Sequence, residues 1–298
     1  CQNPEIKGKI FEPVFYDIEN IYCDDVLSAV DVDLSNVKIA LDCCYGAGYK
    51  VGRMLFSRAK ANVTVFCNRN NGKLINQNCG ATNTSFLLEK MKQGDYSLGF
   101  ALDGDADRLA VVENNVVVPN SKVFFAMARY LSEKGRLRNN TVCGTVLTNG
   151  GVESALNGLG IRLLRSDVGD TNVFNTMVKE GLNFGGEQSG HYLLCDYATS
   201  SDALINALFL CKIYREKGSL LKYASQCVEI TSVSKNIPLT ESNIALCDGD
   251  RLQNTAGRVS QLYPDCRLVL RKSGTENVVR AYAEGAQAQK AVDCVAAT

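Results

Sequence analysis

The chain of 298 residues contains no tryptophan, few prolines and a single histidine, His191. Any chemistry that needs an imidazole therefore depends on that one position. Basic and acidic residues balance at 32 each, so no net charge favours nucleic acid or an anionic membrane. No apolar run approaches the roughly 20 residues of a membrane span, and no signal-peptide pattern opens the chain. We therefore expect no nucleic-acid or membrane partner, and any anion must bind at a local site.

Cysteine is abundant, with 13 residues, but the pattern is not that of a disulfide or zinc framework. The number is odd, and no CxxC pair indicates zinc. Cys43, Cys67, Cys143 and Cys211 lie in apolar stretches, where a free thiol packs as a small hydrophobic side chain. We therefore expect reduced cysteines and a cytoplasmic location.

The run Asp103-Gly-Asp-Ala-Asp-Arg108 lies between two apolar stretches, which predicts a tight loop between two strands. Asp103, Asp105 and Asp107 alternate with small residues and can converge on one hard cation such as Mg²⁺. Without a cation, three carboxylates this close would repel one another. Arg108 is always cationic and suits an anion beside the metal, such as a phosphate.

The same run has two other possible interpretations. A calcium EF-hand loop needs glycine at its sixth position and glutamate at its twelfth, where this chain has Arg108 and Asn114, so we reject it. A solvated acidic turn stays open as the alternative to a metal site.

The order of predicted elements indicates two α/β domains with mainly parallel sheets, followed by a small α+β domain. The first domain covers residues 34–136, and the acidic run sits at the carboxyl end of its third strand, where ligand groups collect in such sheets. A linker at 135–140 leads to a second α/β domain at 137–227. Residues 228–298 form the α+β domain, and residues 1–33 form no domain of their own.

Two further loops carry chemistry. In Gly185–His191, the residues Glu187, Ser189 and His191 alternate and can present an acceptor, a hydroxyl and an imidazole to a polyhydroxylated ligand such as a sugar. The alternative is a glycine-rich turn whose polar groups only cap the chain. The turn Arg271–Glu276 combines two cations, two hydroxyls and a glycine, which indicates a phosphate site or else a solvated basic turn. Together, the three loops indicate a phosphosugar held between domains.

These loops, in this order, resemble those of the α-D-phosphohexomutases. That family's metal loop reads DGDGDR or DGDADR, as at Asp103–Arg108. Its sugar loop reads GGEQSGH in the branch that acts on glucosamine phosphates, as at Gly185–His191, and its phosphate loop reads RPSGTEP, close to Arg271–Asn277. The resemblance runs from about residue 34 to the end and implies a four-domain fold.

The resemblance implies an intramolecular phosphotransferase of the isomerase class, which interconverts glucosamine 6-phosphate and glucosamine 1-phosphate through a bisphosphate. The substrate would be the only partner, and the protein a monomer or homodimer. It also implies roles for the loop residues: Mg²⁺ binding by Asp103, Asp105 and Asp107; catalysis by Arg108 and His191; substrate binding by Glu187, Ser189, His191, Arg271, Ser273, Gly274, Thr275 and Arg280. A phosphomannomutase/phosphoglucomutase, or a non-catalytic phosphosugar-binding fragment, is the alternative.

The chain departs from the family at several points. Of the first domain, which carries the family's phosphoserine, only a remnant is expected in residues 1–33, so we predict a truncated chain without the nucleophilic serine. Thr171 stands where the glucosamine-phosphate branch usually has arginine. Lys272 and Asn277 replace the two prolines of the phosphate loop, and Lys272 keeps that loop cationic.

Overall fold

A computed structural model of the protein describes residues 17–239, 249–273 and 276–297. Gly274 and Thr275, two of the predicted phosphate-binding residues, lie outside the described residues. Within the described ranges, no helix combines the length and the apolar character that crossing a bilayer requires.

The first α/β unit is built on a five-stranded sheet with the order β2-β1-β3-β4-β5. Its elements are α1 (Ile18–Val30), β1 (Lys38–Asp42), α2 (Val51–Arg58), β2 (Asn62–Phe66), α3 (Ser85–Gln93), β3 (Leu98–Leu102), β4 (Leu109–Glu113) and β5 (Val116–Val118). Strand β1 pairs in parallel with β2 and β3, whereas β3–β4 and β4–β5 are antiparallel. The acidic loop that joins β3 to β4 is too short for the crossover that parallel neighbours need, so β4 must turn back.

The second unit has a four-stranded sheet with the order β7-β6-β8-β9. Its elements are α4 (Asn120–Glu133), β6 (Thr141–Thr145), α5 (Gly150–Asn157), β7 (Arg162–Ser166), α6 (Asp170–Glu180), β8 (Phe184–Gly186), β9 (Tyr192–Leu194), α7 (Ala203–Lys217) and α8 (Leu220–Tyr223). Helices α5 and α6 provide the crossovers that make β6 parallel to β7 and β8. The loop at 187–191 is short, and β9 returns antiparallel to β8.

The third unit is a three-stranded antiparallel sheet with the order β10-β12-β11 and two helices. Its elements are β10 (Ser232–Pro238), α9 (Gly249–Leu262), β11 (Arg267–Lys272), β12 (Val278–Glu284) and α10 (Ala288–Ala296). The predicted fold class, two α/β units followed by a small α+β unit, is confirmed, and both α/β sheets are mixed.

One hydrophobic core runs through both α/β units, from Cys23 to Cys227, while the third unit has a core of its own around Val259 and Val292. Helix α4, which the sequence analysis did not predict, contributes much of the shared core. Its Phe124 ring packs against Phe184 of β8 with centroids 5.0 Å apart. The two α/β units are therefore held together by side-chain packing as well as by their covalent connection.

A buried ion pair fixes the third unit to the second. Arg267 of β11 donates to the carbonyl oxygens of Val146 and Thr148, at 2.6 and 3.0 Å, and pairs with Glu284 of β12 at 2.5 Å. Glu284 in turn accepts from the backbone amide of Gly150 at 3.1 Å. Burial alone would raise the pKa of Glu284, but these hydrogen bonds and the neighbouring guanidinium hold it below its usual value.

Candidate functional site

The acidic loop closes the β3–β4 hairpin and is shaped by a close backbone approach. The amide of Ala47 donates to the carbonyl oxygen of Gly104 at 2.8 Å. A Cβ added at Gly46 would lie 2.2 Å from that same oxygen, so only glycine fits there. Ala106 takes a left-handed conformation with φ of 63°, which is uncommon for a residue with a side chain. The chain is thus bent so that alternate side chains face one point.

Three carboxylates meet at that point, because Asp103, Asp105 and Asp107 each offer an oxygen within 4.8 Å of the others. The Asp103 carboxylate accepts the amides of Asp107 and Arg108, both at 3.1 Å. Burial, helped by the nearby Asp107, raises the pKa of Asp103. Among the described residues, Oδ1 of Asp107 is buried without a hydrogen-bond partner. An all-oxygen donor set with an unpaired buried oxygen fits a hard divalent cation.

Arg108 leaves the metal-binding point free. Its Nε lies 3.6 Å from Asp103 and 3.8 Å from Asp107, which are long distances for ion pairs, and its side chain is 46% exposed. The guanidinium can therefore turn toward an anion beside the three carboxylates.

The Gly185–His191 loop contacts the acidic loop through His191. The Nε2 atom of His191 lies 3.1 Å from Oδ2 of Asp107, and the amide of Leu109 donates to the carbonyl oxygen of Gly190 at 3.0 Å. The imidazole is buried, and its Nδ1 has no partner among the described residues. His191 can thus orient one carboxylate while its other nitrogen stays available.

Glu187 lies in the middle of the same loop, at the wall of a cavity of about 210 Å³ that Gln188, Asn120 and Tyr282 also line. Its Oε1 accepts the amide of Gly169 at 2.9 Å, which fixes the carboxylate. Ser189 is exposed to solvent. A second cavity of about 270 Å³ is lined by Asp107, His191 and Thr171. Residues of this loop therefore line both cavities.

The phosphate turn presents two arginines side by side. Arg271 of β11 stands directly opposite Arg280 of β12, and the Nε atoms of both are buried without partners within the described ranges. Burial and the charge of Arg280 lower the pKa of Arg271, while the charge of Glu187 acts against them. Arg280 also pairs with Glu276 at 2.6 Å. Two adjacent guanidiniums with unpaired donors have the charge and the hydrogen-bonding capacity to bind an anion.

Ser273 has a structural contact in this turn, because its Oγ accepts the amide of Glu276 at 3.2 Å. The structure thus brings Asp103, Asp105, Asp107, Arg108 and His191 together, and it separately pairs Arg271 with Arg280. Glu187 lies in the loop that carries His191, whereas Ser189 in that loop is exposed to solvent. Contacts from Ser201 and Ala203 were missed by the sequence analysis. The Ser201 hydroxyl donates to the carbonyl oxygen of Asp107 at 2.6 Å, and the Ala203 amide donates to that of Ala106 at 2.9 Å.

The only sequence signal for those two contacts is the helix cap beside them. Asp202 accepts the amides of Leu204 and Ile205 and so begins α7. A cap of this kind predicts where a helix begins, but it does not reveal which loop the preceding residues contact.

Comparison with protein families gives three consecutive matches. Residues 20–116 match the phosphoglucomutase/phosphomannomutase α/β/α domain II, residues 119–230 match α/β/α domain III, and residues 235–298 match the C-terminal domain.

Curated relatives of this chain agree with these family matches. The phosphoglucosamine mutase of Thermotoga neapolitana is 39% identical over 287 residues, which cover 95% of this chain and 65% of that protein. That of Clostridium acetobutylicum is 37% identical over 271 residues, covering 90% of this chain and 60% of that protein. The chain thus spans less than two thirds of the length of these relatives.

Solved structures share the fold at low sequence identity. A phosphoglucomutase/phosphomannomutase family protein from Burkholderia thailandensis superimposes with a TM-score of 0.78 at 19% identity, over 94% of this chain and 64% of that one. The N-acetylphosphoglucosamine mutase of Aspergillus fumigatus, in complex with GlcNAc-6P and magnesium, gives 0.74 at 20% identity, over 93% and 68%.

Proposed function

Because the chain belongs to the phosphoglucomutase/phosphomannomutase family, and its curated relatives at about 40% identity are phosphoglucosamine mutases, we propose that it forms part of a phosphoglucosamine mutase. The reaction is the interconversion of glucosamine 6-phosphate and glucosamine 1-phosphate. One observation carries the proposal: the Gly185–His191 loop contacts the acidic loop through His191–Asp107, and through Glu187 it lines a cavity that Tyr282 of β12, the strand that carries Arg280, also lines. A sugar in contact with Glu187 would thus have the acidic loop at one end and the arginine pair at the other.

We assign Mg²⁺ to Asp103, Asp105 and Asp107, whose oxygen donors and unpaired buried atom fit it. When bound, the ion would offset negative charge on the phosphoryl group being transferred. His191 holds the Asp107 carboxylate in place through its Oδ2. Arg108 is exposed enough to contact the phosphoryl donor.

At the other end of the substrate, Arg271 and Arg280 bind the phosphate that does not react, and Glu187 accepts hydrogen bonds from sugar hydroxyls. Held at both ends, the sugar is positioned without a covalent bond to this chain. After one transfer the bisphosphate must turn round, so each phosphate in turn occupies the arginine pair. Ser273 is placed to support the turn through Glu276, and we assign no nucleophilic serine to this chain.

Calorimetry on the 298-residue chain tests the binding part of the proposal. Glucosamine 6-phosphate should bind with Mg²⁺ present, and more tightly than glucose 6-phosphate or mannose 6-phosphate. Arg271→Gln should weaken binding by about 10- to 100-fold, since a charge-assisted hydrogen bond contributes roughly 1.5–3 kcal/mol. Arg53→Gln, at an exposed position on α2, is the matched control and should leave binding unchanged.

Turnover is tested in a longer protein that contains this chain together with a phosphoserine-bearing domain. It should convert glucosamine 6-phosphate, and preference for mannose 6-phosphate would instead indicate a phosphomannomutase. No binding of any hexose phosphate would contradict the proposal. Turnover by the 298 residues alone would show that a nucleophile lies within them. The domain boundaries, the cytoplasmic location and the oligomeric state stay predictions.

A further inference from the structure

A second group of metal-binding side chains lies beside the acidic loop. Asp42 ends β1, Cys67 directly follows β2, and Cys79 lies in the loop before α3. One carboxylate oxygen and two sulfurs from these residues all lie within 4.8 Å of one another. The thiol of Cys44 lies nearby but donates to Oδ1 of Asn76 at 3.1 Å and to the carbonyl oxygen of Cys79 at 3.9 Å, so we do not count it as a ligand. We name Asp42, Cys67 and Cys79 the thiol cluster.

The fold assembles these residues from three separate segments. Strands β1 and β2 are parallel, and Asp42 pairs with Phe66, so Cys67 follows at the same edge of the sheet. Two hydrogen bonds donated by backbone amides hold the loop that carries Cys79. The amide of Gly80 donates to Oδ2 of Asp42 at 2.8 Å, and that of Ala81 donates to the carbonyl oxygen of Leu102 at 2.9 Å.

The buried negative charge of the cluster favours binding of a cation. Asp42 is 0% exposed, and no lysine, arginine or histidine among the described residues forms an ion pair with it. Buried carboxylates are ordinarily paired with a cation or bound to a metal. A carboxylate has about four lone-pair sites, so the two amide hydrogen bonds that Asp42 accepts leave capacity for a cation. Burial, and then the charge of Asp42, raise the pKa of Cys67 and Cys79.

We propose that the thiol cluster is a site for a borderline-soft divalent cation of the Zn²⁺ type, bound by Asp42, Cys67 and Cys79 with a water molecule as the fourth ligand. Cysteine sulfur and carboxylate oxygen are both ligands that zinc takes in its usual four-coordinate sites. Ligands about 2.0–2.3 Å from zinc stand roughly 3.3–3.8 Å apart, so the three donor atoms must move together by up to about 1.5 Å from their 4.8 Å limit. Each cysteine that binds releases its proton to solvent.

This site is separate from the acidic loop in chemistry as well as in residues. Mg²⁺ prefers the all-oxygen set of Asp103, Asp105 and Asp107, whereas sulfur ligands select zinc. The two sites nevertheless touch, because a Cβ added at Gly104 would lie 2.7 Å from Cγ2 of Ile75, in the loop that carries Cys79. A cation in the thiol cluster would therefore stiffen the surface on which the acidic loop rests.

Cobalt titration of the reduced, metal-free 298-residue chain tests the proposal. One equivalent of Co²⁺ should produce sulfur-to-cobalt charge-transfer absorption with tetrahedral visible bands, and Zn²⁺ should displace it. Asp105→Asn should leave this spectrum unchanged, because its carboxylate belongs to the acidic loop. Cys67→Ser and Cys79→Ser should each lower the affinity by more than the roughly 10- to 100-fold that loss of an outer-shell partner costs.

Cys195→Ser is the matched control, because Cys195, like Cys67, directly follows a strand and is partly exposed. It should keep the full spectrum. A readout on the unmutated chain avoids any folding defect: Zn²⁺ should protect Cys67 from alkylation but leave Cys195 reactive. The proposal is wrong if the unmutated chain gives no sulfur-to-cobalt band, or if the band survives loss of Cys67 and Cys79. A disulfide within the cluster that forms in air, with no effect of Zn²⁺ on alkylation, would also overturn it.

Discussion

The acidic loop and the thiol cluster lie next to each other but differ in how their donors are spaced along the chain. The acidic loop draws its three carboxylates from five consecutive residues, Asp103 to Asp107. The thiol cluster draws on positions 42, 67 and 79, which only the β1–β2 pairing and the loop before α3 bring together. A local pattern can be recognised in a sequence, whereas a site built by strand register becomes visible only in the fold.

The largest expected difference between the two sites is in their response to pH. The raised pKa values of the thiols keep them protonated near neutrality, so metal binding must release protons and strengthens as pH rises. If two thiols ionise, Co²⁺ affinity should increase by about 10⁴-fold between roughly pH 6 and 8. Mg²⁺ affinity at the acidic loop should change much less over that range, because its ligands are oxygens and no thiol proton has to be released. Titrations at three pH values, read by charge-transfer absorption and by calorimetry, would measure both slopes, and equal slopes would remove the distinction.

The second largest effect is expected from a change in the acidic loop alone. In the longer protein, Asp105→Asn should reduce Mg²⁺-dependent turnover by about 10²- to 10³-fold, as expected when charge stabilisation of a transferred group is lost. Asp105 is exposed, so the free energy of unfolding should stay within about 0.5 kcal/mol. Steady-state rates over a range of Mg²⁺ measure the effect, with Asp25→Asn on the exposed face of α1 as the control. Unchanged turnover would reject the metal assignment.

A smaller effect tests how the acidic loop is held. His191→Gln should weaken Mg²⁺ binding by about 10- to 100-fold, the usual cost of losing a group that orients a metal ligand. Glu187→Gln, in the same loop but without a recorded contact to Asp107, should weaken sugar binding and leave Mg²⁺ affinity unchanged. Calorimetry with Mg²⁺ alone, and then with glucosamine 6-phosphate, separates the two. If His191→Gln and Glu187→Gln lowered Mg²⁺ affinity equally, His191 would act only by keeping the loop folded.

The smallest effect contrasts two buried carboxylates, since Glu284 has a cationic partner and Asp42 has none among the described residues. The pKa of Glu284 is lowered from 4.5, so its stabilising contribution is present above that pH and is lost as pH falls through the lower folded value. Glu284→Gln should cost about 1–3 kcal/mol at neutral pH and less in acid. Urea unfolding at both pH values measures this. Glu180→Gln, at an exposed position, should behave like the unmutated chain, and a pH-independent loss would exclude the ionic contribution.

Much of the fold could be predicted from local patterns. Short apolar runs between turn residues mark strands well, and the runs Asn62–Phe66 and Val278–Glu284 are both strands in the structure. Helix α4 was missed because its start at Asn120 follows Pro119 without a side-chain cap, and its apolar residues cover most of its circumference. Such a helix is stabilised by packing on both α/β units, which no local signal records.

The candidate site likewise has parts that local sequence patterns predict and parts that only the packed fold reveals. The acidic, sugar and phosphate loops were predicted because their donors are nearly contiguous. The His191–Asp107 contact, and the cavity that Glu187 and Tyr282 line together, depend on how two pairs of units pack. The predicted role of Cys67 as a buried hydrophobic side chain does not fit its partial exposure beside Asp42 and Cys79, because Cys67 lies one residue beyond β2 rather than within it.

The acidic loop is braced by residues from beyond the 135–140 connection, through Ser201, Ala203, Gly190 and His191. Its shape is thus completed by the other half of the shared core. A chain cut within that connection would yield two pieces, neither of which holds the three carboxylates in place. Mg²⁺ binding would return only when the halves reassociate, so the cation would serve as a reporter of fragment complementation.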